Sequence, residues 1–129
     1  MTRKEILKAA EQCVCQDRQN QYGSPEDNFA VIAAMWNIYL GVTGIDAKDV
    51  SMMMSLLKIA RAKTGNGAVD NYVDLAGYAA CGGELQAKAD EEAAERQTMI
   101  EANAIRDALA KEASAAPRYA AYMPDMELR

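Results

Sequence analysis

From Leu85 to Ala113 the chain contains neither glycine nor proline, and it is written largely in Ala, Glu, Lys, Arg and Gln. Such a stretch has one regular option. These residues lose little side-chain freedom in a helix, and the run has no aromatic and only three β-branched residues (Thr98, Ile100 and Ile105), the types that suit a pleated surface. Upstream, glycine and proline cut the chain at "QYGSP", "GVTGID" and "TGNGA". Apolar residues at Ile6, Leu7, Ala10, Cys13 and Val14 predict a first helix over residues 3 to 19. Ser24 as N-cap and Pro25 at the first helical position open a second, to about Leu40. Asp46 caps a third, "AKDVSMMMSLLKIARAK", and a fourth begins near Asp70 and runs on, with a bend possible at Gly82 and Gly83. The expected fold class is all-α: a helical bundle of about four core helices with a long charged C-terminal helix. Residues 1–85 form the core domain, 86–114 the charged helix and 115–129 a tail.

The balance of charge narrows the partners. At a net charge of −5 over 129 residues, the chain has no basic surface for a nucleic-acid polymer or an anionic membrane, so neither is expected. It has no run long and apolar enough for a membrane span or signal peptide. Three cysteines and no histidine make a zinc site improbable and fit reduced thiols, and a cytoplasmic protein is expected. Any catalysis near neutral pH must then use a carboxylate, a lysine or metal-bound water as base.

Advancing each helix by about 100° per residue shows which side chains share a face. On the third helix Val50, Met53, Met54, Leu57 and Ala60 form an apolar arc, with Asp49, Lys58 and Arg61 at its edges. On the fourth, Asp70, Asp74, Gly77, Tyr78 and Cys81 make one strip, while Val73, Ala76 and Ala80 make another that can pack. Glycine and cysteine leave room beside the carboxylates, which suits a ligand or a metal. The plain alternative is a solvated face with a salt bridge between Arg61 and one aspartate. Asn28, near the positive end of the second helix, could donate to an anion or serve as a cap.

The ordered motifs "YGSPEDNFAVIAAMWNIYL", "DVSMMMSLLKIAR" and "DNYVDLAGYAA" resemble a small family of uncharacterised proteins common in bacteriophages and prophages, over roughly residues 14–85. That arrangement is more distantly similar to MazG-like all-α nucleoside triphosphate pyrophosphohydrolases. The resemblance implies magnesium on acidic pairs of neighbouring helices and basic residues on the phosphates. This chain departs from the usual Glu-x-x-Glu and Glu-x-x-Asp signature. It offers Asp70 and Asp74 four residues apart, with Asp49 on the helix before and Glu26 and Asp27 at a helix start.

Two functions follow as expectations. In an enzyme, Asp70 and Asp74 would be catalytic and hold Mg2+ with Asp49, while Lys58 and Arg61 would neutralise phosphate. In a non-catalytic nucleotide sponge, Arg18, Lys58 and Arg61 would grip phosphate, Tyr22, Trp36 or Tyr78 would stack on a base, and Asn28 would donate to the ligand. A module that binds a host protein is the third possibility. A homo-oligomer, at least a dimer, is expected because four short helices leave much apolar surface open.

Overall fold

The structure, a computed structural model, describes residues 1–17 and 23–115. Among these residues it is all α-helical with no strand, as the composition predicts. Helix α1 spans Arg3–Gln12 and continues as a π-helical turn over Cys13–Asp17. Helix α2 is Pro25–Leu40, α3 is Ala47–Thr64 and α4 is Asp70–Ala115. None of them is long and apolar enough to cross a membrane.

The starts are set by local chemistry. Thr2 and Glu5 close a capping box on α1, and Asp46 and Asp49 close another on α3; in each, side chain and backbone bond reciprocally. The Ser24 hydroxyl accepts from the Asp27 amide at 3.2 Å, with Pro25 at the first helical position. Helix α2 ends at Gly41, whose φ of 65° lies in the left-handed region. The Asn37 side chain then pins the following loop, accepting from the Ile45 amide at 3.2 Å and donating to its carbonyl at 2.9 Å.

The chain divides into two compact units, Met1–Asp90 and Glu91–Arg129. In the first, Phe29 and Ala33 of α2, Val50 of α3, and Tyr78 and Cys81 of α4 form the core, with Val14, Trp36, Met54 and Leu85 packed against it. The Phe29 and Tyr78 rings lie 6.2 Å apart between centroids. In the second, every residue from Glu91 to Ala115 is exposed.

Three particulars differ from the sequence expectation. The first α-helix stops at Gln12 and tightens no further, since the next turn is π-helical. Helix α4 runs unbroken through Gly82 and Gly83. The apolar arc of α3 packs only in part: Val50 is buried in the core and Met54 lies against it, while Met53, Leu57 and Ala60 are exposed, and the line that runs along α4 is Ser51, Ser55 and Lys58. Small side chains win that position because they allow two helices to approach closely. Their hydroxyls bond to carbonyls of their own helix, Ser51 to Lys48 at 3.0 Å and Ser55 to Ser51 at 2.9 Å, so burial leaves them satisfied.

Candidate functional site

Helix α3 and the first part of α4 run antiparallel along a narrow seam. Lys48 donates to Gln86 at 2.8 Å, Ser51 lies against Gly82, and Lys58 pairs with Asp74, so partners fall along one helix as they rise along the other. The glycines make the approach possible. A Cβ built at Gly82 would overlap the Ser51 hydroxyl, and one at Gly77 would lie 2.9 Å from Cγ1 of Val14. The strip of Gly77, Tyr78 and Cys81 that the sequence assigns to a ligand is therefore buried as core, and the room the glycines leave is filled by Val14 and Ser51.

Where the seam approaches the C-terminus of α3, it holds a charged pair. The Lys58 ammonium donates to Oδ2 of Asp74, and each side chain is only 12% exposed. A lysine and an aspartate so far out of water are expensive to desolvate. Replacing such a pair with apolar residues of similar size is often neutral or stabilising, so the pair is not explained by stability alone.

The remaining candidates are spread around this pair. Arg61 lies three residues beyond Lys58, but it is exposed, and in the last turn of α3 it complements the helix dipole. Asp70 is exposed in the first turn of α4, where a carboxylate is favourable for the same reason. Asp49 lies nine residues before Lys58, roughly 13 Å along the axis at the usual helical rise, and its carboxylate accepts from the Asp46 amide at 3.0 Å. The structure thus brings Asp74 to Lys58 and does not bring Asp49, Asp70 and Asp74 together. Among the described residues no three acidic or cysteine side chains gather where a cation could be held. These residues do not fit a magnesium centre of three protein carboxylates.

Asn28 is half-buried on α2, Trp36 packs on the core edge, and Tyr78 is in the core beside Phe29. Arg18 and Tyr22 lie outside the described residues, as do residues 116–129. At the other end of the seam, Asp46, Ala47, Lys48, Leu85 and Ala89 line a cleft of about 190 Å³. Sequence reasoning missed Ser51, Ser55 and Gly82, which set the helix spacing. The signal was present as two serines four residues apart on one face of α3.

Residues 5–86 match a family described as a domain of unknown function (DUF6378), which is more than half of the chain. Gene 55 protein of Mycobacterium phage L5 is 37% identical over 86 residues, covering 67% of this chain and 55% of that protein. Gene 55 protein of Mycobacterium phage D29 is 38% identical over 78 residues, covering 60% and 51%. The chain spans about half the length of these relatives. No solved structure matches. The chain belongs to the DUF6378 family, whose matched region runs from Glu5 within α1 through α2 and α3 to Gln86 in α4.

Proposed function

We propose that this member of the DUF6378 family is a phage-encoded nucleotide-binding protein of the host cytoplasm, which holds a small nucleotide by its phosphates beside the Lys58–Asp74 pair. The observation that supports the reading is the pair itself. It places a largely desolvated cation, oriented by a carboxylate, at an edge where two helices meet. A phosphate arriving there would compete with Asp74 for the ammonium, in surroundings where a charge-assisted bond is stronger than in water. Arg61, three residues on and exposed, is the second cation within reach of the same ligand. Arg18, Tyr22, Asn28 and Trp36 take their assignments, to a further phosphate or to the base, from the sequence.

Binding without turnover accords best with an acidic set that does not converge. The distant likeness to MazG-like pyrophosphohydrolases rests on motifs alone and supplies the competing outcome. The two separate in one experiment, in which the protein is melted against a panel of ribo- and deoxynucleotides, with and without magnesium. A ligand at a hundred times its Kd raises stability by about 2.7 kcal/mol. The expected result is an upward shift with at least one nucleotide, which is then recovered intact. Release of pyrophosphate would move the assignment to the hydrolase. No shift with any nucleotide would overturn nucleotide binding and favour the protein-interaction reading.

A further inference from the structure

The outward face of α3 is complementary to its own reverse. Asp49, Leu56 and Lys63 are spaced seven residues apart, two turns less about 20°, so they lie nearly on one line along the helix. Met52 and Met53 fall one turn before Leu56, and Ile59 one turn after it; all four large side chains are exposed. The line therefore runs acid, apolar, Leu56, apolar, base. Lys63 has no ion pair among the described residues. The Asp49 carboxylate, although it caps the Asp46 amide, has lone pairs left to accept a further bond.

A surface that meets itself across a two-fold axis must be complementary to its own reverse, residue i meeting j while j meets i. An antiparallel copy of α3 crossing at Leu56 satisfies this. Leu56 meets its own mate, the methionines meet the partner's Ile59 turn, and Asp49 meets the partner's Lys63 at both ends. A parallel copy would set Asp49 against Asp49. The neighbouring helix α2 adds exposed Val31, Met35, Ile38 and Tyr39, in a stretch from Asn28 to Ile45 that carries no charge at all. A helix apolar on every side is ordinarily covered on every side. Counting both helices, ten large apolar side chains stand exposed, each offering on the order of 100 Å², enough to supply the roughly 800 Å² per partner that a stable dimer buries.

We infer that the occupant of this face is a second copy of the chain, and that the protein is a two-fold dimer whose α3 helices cross antiparallel at Leu56 with Asp49 and Lys63 paired between copies. The inference is independent of the nucleotide reading. It is tested by light-scattering mass of the whole chain. The expected result is twice 14.0 kDa for the unaltered protein. Lys63→Glu, which sets like charges together at both ends, should weaken association at least tenfold, with less effect as salt is raised. Leu56→Glu should give single chains at the same concentration. Helix content by circular dichroism checks folding, and Lys63→Glu, an exposed position at the rim, carries the test should Leu56→Glu fail to fold. A single-chain mass for the unaltered protein, or a dimer indifferent to Lys63→Glu, would overturn the inference.

Discussion

Helix α4 is one continuous element made by two different kinds of physics. Its first part, Asp70 to Leu85, is held by what it packs against: Gly77, Tyr78, Cys81 and Gly82 are buried, and their small or flat shapes fit Val14, Phe29 and Ser51. From Glu91 to Ala115 nothing is buried. There the helix is held by propensity and by its own side chains, with Glu92 paired to Arg96 at 3.7 Å and Gln97 bonded to Glu101 at 2.8 Å. Such pairs contribute only about 0.2–0.5 kcal/mol each, so that part depends on the many good helix formers in sequence. Glycine serves the first part and would harm the second, which is why the glycines of α4 stop at Gly83.

This contrast can be broken most sharply at Gly82. Gly82→Val puts branched carbon where the Ser51 hydroxyl lies and should cost about 1–3 kcal/mol by overpacking, read as a lower midpoint in urea. Ser51→Gly in the same chain should restore part of the loss, and a double-mutant cycle with no coupling would deny the close approach. In the exposed part the effect is smaller and local. Ala102→Gly should cost about 1 kcal/mol of helix, seen as faster amide exchange around residue 102, with the melting of Met1–Asp90 unchanged. If that core melts earlier too, the two parts are not energetically separate.

The smallest effect belongs to the start of α1. Bonds from the Thr2 backbone amide and then the Thr2 side chain hold the Glu5 carboxyl below its ordinary value of 4.5. A carboxyl depressed in the folded state adds stability that is complete above its unfolded value and is lost as pH falls through the folded one. The N-terminal turn of α1 should therefore loosen below about pH 4.5, in amide exchange at Glu5 and Ile6; Thr2→Ala, which keeps the backbone amide, should weaken that pH dependence only in part, whereas Glu5→Gln should remove it.

How much of this was legible in the sequence follows from which interactions are local. The caps at Ser24 and Asp46, the stops at Gly41 and Gly65, and the long run after Leu85 are decided by neighbours within four residues, and all appear as read. The packing faces were not local. Hydropathy put Met53 and Leu57 inward on α3 and made the glycine strip of α4 the lining of a ligand site, whereas close helix contact put Ser51, Ser55 and Gly82 inside. Hydrophobicity ranks side chains by their cost in water, but a seam between two helices selects by size first. The same effect governs the candidate site. A base on α3 facing an acid on α4 was readable from the helix spacing, but which base was not, because register along the seam is set by the Ser51–Gly82 contact.

The central claim is that Lys58 holds a nucleotide's phosphate. It is tested most directly by titration calorimetry with whichever nucleotide raises the melting point, comparing the unaltered chain with Lys58→Met/Asp74→Leu. Removing both charges of the pair together keeps the seam filled, so the fold should persist. The account predicts that this variant binds at least ten times more weakly, a loss of about 1.4 kcal/mol or more. Equal affinity in the two proteins would contradict it.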